Sequence, residues 1–265
     1  MDKKKIAEFF DGCAPWWDAD MIRNEQVIGR ILDNGGICSG IDVLDVACGT
    51  GVLFPDYLQR KVASVTGIDI APEMAKIAAA KFPQVKVICG DVESTQFDRQ
   101  FDAVMVYNAF PHFPDPKKLI EVLAGLCKPG GRLSIAHGMS REALTAHHAG
   151  RASDVSIDLL HETELKTIMH PWFEVDVVIS NEQMYQVSGI RREKPLQVLP
   201  IEEMVALMRF MVEHNDAHAQ ELADLAQKLK DSGKAHIGAK LMDAVADFDM
   251  ANAKLSAVFQ ELSQE

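Results

Sequence analysis

Val43-Leu-Asp-Val-Ala-Cys-Gly-Thr-Gly51 is the stretch that decides the fold of this 265-residue chain. The apolar run over residues 41–46 has the length of a strand and ends in a turn carrying Gly49 and Gly51. Glycines at such a turn let the backbone approach a ligand where any Cβ would clash. An apolar-patterned segment opens at Val52, so the turn leads into a helix with a positive N-terminal end. A lone G-x-G belongs to many nucleotide-binding folds. Here an acidic residue, Asp45, sits inside the strand and narrows the choice. Position 54, three after Gly51, is Phe, so there is no G-x-G-x-x-G. Nor does a Lys-Ser or Lys-Thr follow as in a phosphate-binding P-loop.

The segments downstream alternate between strand and helix. Residues 62–70 read as a second strand with Asp69 near its end. An acid about 20 residues after a glycine turn receives ribose hydroxyls in dinucleotide folds. Pro72 suits the first turn of the helix that follows. Residues 85–91 read as a third strand ending in Asp91, and residues 101–107 as a fourth followed by Asn108. Leu126-Cys-Lys-Pro-Gly-Gly131 reads as a turn before a fifth strand over residues 132–136. Residues 173–180 and 184–190, joined by Asn181-Glu-Gln183, read as an antiparallel closing pair. The expected fold class is α/β: a Rossmann-like seven-stranded sheet, mostly parallel, with an antiparallel last pair.

The D-x-x-x-G-x-G pattern of Asp45, Gly49 and Gly51 resembles motif I of the class I S-adenosylmethionine methyltransferases, and the later landmarks match the family in order. A carboxylate beside the turn would repel pyrophosphate, whereas it suits a cationic sulfonium and an amino group. The resemblance implies cofactor contacts at Trp17, Asp45, Ala47, Cys48, Gly49, Gly51, Asp69, Ile70, Met74, Asp91, Val92 and Asn108. In the family the residue at Met74 packs on the adenine, and the acid at Asp91 receives the adenine amino group. The opening Phe9-Phe-Asp-Gly-Cys-Ala-Pro-Trp-Trp-Asp18 is similar to that of the quinone-methylase (UbiE-like) branch. There the aromatic before the last Asp covers the cofactor, which gives Trp17 that role. The resemblance covers residues 1 to about 192 and specifies the cofactor, S-adenosylmethionine or its product S-adenosylhomocysteine. It does not specify the methyl acceptor.

Bulk composition fits a small-molecule enzyme. Lys and Arg number 27 against 39 Asp and Glu, a net charge of −12. Such a chain is a poor binder of nucleic acid. No apolar stretch approaches the 18 residues of a membrane span, and the Met1-Asp-Lys-Lys-Lys opening has no apolar core of a secretion signal. Five scattered cysteines without C-x-x-C read as free thiols of a cytoplasmic protein.

Three parts are expected. Residues 1–192 form the methyltransferase domain, with 1–40 as a helical lid. Residues 193–200 are a polar linker broken by Pro195 and Pro200. Residues 201–265 contain no Pro and only two Gly, and they pattern as two long helices turning at Asp231-Ser-Gly233. The first seam is expected at Met204, Met208, Met211, Asn215, His218, Leu222, Leu225 and Leu229, the second at Leu241, Phe248, Leu255 and Leu262. Such a hairpin buries little alone, so it packs on the core or pairs with a second copy as a homodimeric bundle. Asn215 falls level with Asn252, within hydrogen-bonding reach across the hairpin. His214, His218 and Glu221 share one face, either as part of a polar layer that fixes register or as three ligands for a divalent metal.

The acceptor belongs above the carboxyl ends of the fourth and fifth strands, where His112, His137, His147 and His148 gather. His112 and His148 are the candidate acid–base residues, since imidazole titrates near neutral pH. The expected activity is direct in-line methyl transfer to a small-molecule acceptor. A second reading is a cofactor- or metal-responsive binding protein with its metal in the tail. A NAD-dependent reductase is disfavoured by Asp45 and the absent third glycine.

Overall fold

The computed structural model describes residues 2–19, 23–148, 153–196 and 201–262. The chain divides into two compact units, residues 1–196 and 197–265.

The first unit is built on seven strands: β1 (Asp42–Val46), β2 (Ser64–Asp69), β3 (Lys86–Cys89), β4 (Phe101–Tyr107), β5 (Cys127–His137), β6 (Phe173–Ser180) and β7 (Tyr185–Arg191). They lie in the order β3-β2-β1-β4-β5-β7-β6. All pairings from β3 to β5 are parallel, and β7 runs antiparallel to both β5 and β6. Val43 faces one apolar layer with Phe54 and Tyr57, while Leu44 and Val46 face the other with Phe110 and Leu123. A parallel sheet covered on both faces needs such uninterrupted apolar strands. The strand order reverses between the parallel neighbours β1 and β4, which opens a crevice at their carboxyl ends.

Among the described residues, seven helices accompany this sheet: α1 (Lys3–Cys13), α2 (Glu25–Asn34), α3 (Phe54–Gln59), α4 (Pro72–Lys81), α5 (Pro116–Leu126), α6 (Arg141–His148) and α7 (Glu162–Met169). Side chains of Asp2, Asn24 and Asp115 cap α1, α2 and α5 by accepting from backbone amides. Gln186 of β7 is fully buried and fully satisfied. Its amide donates to Ile31 O at 2.9 Å and Ser134 Oγ at 2.8 Å, and its carbonyl accepts from Asn34 Nδ2 at 2.9 Å. This ties α2 to β5 and β7 through polar groups that would be costly to bury unpaired.

Three details differ from the sequence reading. The helix after the glycine turn is only six residues long, and Leu53 caps it without a side-chain bond. Lys128–Gly131 is not a free turn but the irregular first part of β5. Phe101 pairs Cys127, Ala103 pairs Arg132, and the four residues between bulge out. The third strand stops at Cys89, which leaves Asp91 in the loop beyond it.

The second unit is an antiparallel hairpin of α8 (Ile201–Asp231) and α9 (Ala235–Leu262), turned at Gly233 with φ +82°. Its seam departs from the expected one. Ala219, Ala226, Val245 and Asn252 are buried, whereas Leu225, Met211 and Leu255 are exposed and His218 keeps half its side-chain surface. Counting large residues misplaces the contact because small residues let the helices approach closely. A Cβ on Gly238 would stand 2.6 Å from the Ala226 carbonyl oxygen. Asn215 Nδ2 does donate to Asn252 Oδ1, at 3.0 Å.

Candidate functional site: the crevice at the carboxyl ends of the central strands

The turn after β1 is held by left-handed backbone at Ala47 (φ 55°), Gly49 (φ 55°) and Gly51 (φ 83°). Ala47 is the unexpected member, because its Cβ makes this conformation costly. Asp69 stabilises the turn from β2. Its Oδ2 accepts from Gly49 N and its Oδ1 from Ala71 N, both at 2.8 Å. A Cβ on Gly49 would meet no protein atom nearer than Trp17 Nε1 at 3.8 Å. Space over Gly49 is therefore roofed by the indole, with Cys48 buried beneath.

Asp45 lies on the Tyr57 side of β1 and is 3% exposed. Burial pushes its carboxyl up to about 8. The Tyr57 hydroxyl works against this, and the Asp69 charge adds to it. Burial raises Asp69 too, against its two amide hydrogen bonds. A carboxyl held neutral by burial ionises readily only beside a cation. Asp45 in this state beneath a left-handed glycine turn fits a ligand that brings positive charge.

The remaining expected contacts line the same edge. Met74 is buried in a small cluster with Ala14 and Ala71, against which Phe10 and Trp17 pack. Asp91 Oδ1 accepts from Glu93 N at 3.0 Å; Val92 is buried beside it and Ile70 is half-buried. Asn108 also has left-handed backbone (φ 53°), and its Oδ1 accepts from Gly138 N at 2.9 Å, joining the ends of β4 and β5.

The N-terminal segment contributes residues that sequence reasoning missed. Asp18 accepts from Thr50 Oγ1 at 2.5 Å and pairs with Lys81 at 2.6 Å. Asp11 accepts from Glu73 N at 2.8 Å, which supplies the cap that Ala71 cannot give α4. Lys3 Nζ is 2.6 Å from Asp91 Oδ2 and 3.0 Å from Glu93 Oε2. The acids Asp11 and Asp18 of the opening motif were the available signal.

His112 ends the 3-10 turn Phe110–His112. Its Nδ1 is 2.8 Å from Val155 O, and its ring meets Phe10 edge-on with centroids 4.8 Å apart. A carbonyl only accepts, so Nδ1 carries the proton. The neutral ring therefore keeps its lone pair on Nε2. His137 does not join it: it is wholly buried in β5 against the Tyr185 ring. The side chains of His147 and His148 lie outside the described residues.

The tail histidines do not assemble the expected ligand set. His218 turns Nδ1 to Glu221 Oε2 at 3.1 Å and Nε2 to His214 Nε2 at 3.0 Å. Glu221 thus lies on the ring edge away from His214, so the three do not converge on one point. Among the described residues, no three or more His, Cys, Asp or Glu side chains are grouped to hold a metal.

This geometry matches what comparison with known proteins finds. Residues 44–135 match the family described as "Methyltransferase domain", and residues 204–262 match a domain of unknown function, DUF8180. The first unit thus carries a match to a methyltransferase domain at the glycine turn and the strands around it. A ubiquinone biosynthesis O-methyltransferase of Coxiella burnetii is 32% identical over 143 residues, covering 50% of this chain and 61% of that protein. The chain thus spans about three fifths of that relative's length. Among solved structures, one is the methyltransferase in a complex with the Haloferax volcanii Trm112 methyltransferase activator. It superposes with TM-score 0.62 at 20% identity, over 72% of this chain and all of that one. The N-methyltransferase NodS of Bradyrhizobium japonicum, in complex with S-adenosyl-L-homocysteine, gives 0.57 at 14% identity over 72% and 98%. These structures speak for the fold alone.

Proposed function

We propose that this protein transfers the methyl group of S-adenosylmethionine to a hydroxyl of a small, ring-bearing acceptor. The observation that carries the reading is Asp45, a carboxyl buried beside a left-handed glycine turn, which a cationic ligand would draw into its ionised form. The cofactor supplies a methyl carbon already activated on a sulfonium. Trp17, Asp45, Ala47, Cys48, Gly49 and Gly51 would hold its charged end. Asp69 and Ile70 would hold the ribose, and Met74, Asp91 and Val92 the adenine, with Asn108 closing the crevice toward the acceptor.

Holding acceptor and methyl carbon in line supplies much of such catalysis. His112 adds a base. Val155 orients the ring, so Nε2 takes the proton from the acceptor hydroxyl as the oxygen becomes nucleophilic. His148, on α6, is assigned as its acid–base partner. The named O-methylation of the Coxiella relative supports an oxygen acceptor. We assign residues 1–192 to this domain, with 1–40 as its lid, 193–200 to a linker and 201–265 to the hairpin. Exposed Phe210, Met211, Met250 and Val258 support pairing of the hairpin with a second copy. Five free thiols support a cytoplasmic setting. No described helix is long and apolar enough to cross a membrane.

The test is S-adenosylhomocysteine release across phenols, quinols, thiols and amines, with and without a chelator. Turnover on phenols or quinols that survives chelation is expected, and His112→Gln lowers its rate by about 10²–10⁴. Turnover confined to thiols or amines would overturn the acceptor class. Loss on chelation would return the metal-dependent reading.

A further inference from the structure

The N-terminal segment touches the chain just after each of the first four strands with one side chain. Asp18 holds Thr50 after β1, Asp11 holds the Glu73 amide after β2, Lys3 holds Asp91 after β3, and Phe10 lies on His112 after β4. Three of these contacts leave the expected cofactor contacts alone. Lys3 does not. Its ammonium grips the carboxylate assigned to the adenine amino group.

We propose that Lys3 is an internal competitor for Asp91: it latches α1 across the crevice, and the adenine amino group must displace it from that carboxylate. This rests on the reading of Asp91 as the adenine acceptor.

Helix physics gives no other reason for a lysine here. Lys3, Lys4 and Lys5 occupy the first turn of α1, which contains no acid, and cations at a helix N-terminus oppose the macrodipole. What favours Lys3 in this place is the pair of carboxylates. Lys4, by contrast, reaches Glu8 at 3.7 Å, with 82% of its side chain exposed. The Lys3 side chain is 33% exposed, Asp91 23% and Glu93 3%, so the contact is screened less than a surface pair. Burial works against the Lys3 charge, but hydrogen bonds and charges from Asp91 and Glu93 outweigh it and hold the ammonium above its usual range.

Glu93 makes the exchange feasible. Its Oε2 lies 3.0 Å from Lys3 and 3.0 Å from Lys118. An ammonium released from Asp91 keeps Glu93 as a partner and does not return wholly to water. The latch therefore loosens from two carboxylates to one. The displaced contact is ionic and the arriving amino group is neutral, so Lys3 lowers cofactor affinity. In return it holds Phe10 on His112 and Trp17 over Gly49 before the cofactor enters.

The experiment uses the full chain. Hydrogen exchange is measured over residues 3–13 without ligand, and S-adenosylhomocysteine and adenosine are titrated calorimetrically, for wild type, Lys3→Met and Lys118→Met. Lys3→Met is expected to speed exchange in α1 and to tighten both ligands by about three- to fivefold, the scale of a half-exposed ion pair. Lys118→Met removes an equal charge from Glu93 without touching Asp91 and is expected to leave both affinities unchanged. Unchanged or weaker binding by Lys3→Met overturns the competition, as does equal tightening by Lys118→Met. Unchanged exchange in α1 overturns the latch. A wild type that binds neither ligand overturns the cofactor reading itself, and the competition falls with it.

Discussion

Asn215 and Asn252 face each other across the hairpin, the amide of one donating to the carbonyl of the other at 3.0 Å. Asn252 is 4% exposed, and its own amide donates to Val212 O at 3.1 Å and Asp216 Oδ1 at 2.6 Å. One side chain thus satisfies three groups of α8. Asn252→Ala removes all three bonds; Asp216 is exposed and Asn215 half-buried, so water takes over part of the loss and the cost is about 0.5–1.5 kcal/mol. The urea midpoint of the hairpin is expected to drop accordingly. Replacing Asn215 and Asn252 together by Leu costs less, since the Asn215 amide is then removed together with its partner. An Asn252→Ala midpoint equal to wild type would show that the polar layer does not hold the hairpin.

The central strands were legible because a parallel sheet covered on both faces writes itself as apolar runs. Asp45, Asp69 and Asp91 stood out against those runs as acids at or near strand ends. The hairpin was legible as two helices but not in its seam. Ala219, Ala226 and Gly238 carry the close approach, and small residues look like background in a hydrophobic pattern. The contacts of the N-terminal segment were less legible still. Lys3, Asp11 and Asp18 are polar residues on short elements, and nothing local in the chain says which distant turn each will reach. His137 was misplaced for a related reason: its position at the end of β5 was visible, but not that Tyr185 covers it.

Gly49 and Gly51 share a turn but guard different things. Both have left-handed backbone, which costs any other residue about 1–2 kcal/mol. A Cβ at Gly49 enters open space below Trp17. At Gly51 it would stand 2.7 Å from Phe54 Cδ2 and 3.0 Å from Phe82 Cδ2, and Phe54 is fully buried with no room to yield. Gly49→Ala is therefore expected to stay folded and to lose at least about tenfold in S-adenosylhomocysteine affinity, about 1.4 kcal/mol. Gly51→Ala is expected to lower the melting temperature further than Gly49→Ala does. Melting curves and ligand titrations on the two variants separate these effects. Equal melting losses, or full affinity in Gly49→Ala, would contradict the assignment.

Asp45 makes cofactor affinity depend on pH with a fixed sign. Its carboxyl sits at about 8 in the folded chain against an ordinary 3.8, chiefly through burial. Between those values the folded protein binds a proton that the unfolded chain has released. This group's contribution to stability therefore falls as pH rises from about 4 to about 8, and is level above that. A cationic cofactor prefers the ionised carboxylate, so its binding expels the proton. Affinity for S-adenosylmethionine is expected to rise with pH, by up to tenfold per unit, and to level off above about 8. The buried neighbours Tyr57 and Cys48 are both driven further toward their neutral forms and so do not titrate in this window. Asp45→Asn should bind weakly with most of the slope gone, leaving only what Asp69 contributes. Titrations between about pH 6 and pH 9 test this. A wild-type affinity that is flat across that range would mean that Asp45 is already ionised beneath the turn or that the cation is recognised elsewhere.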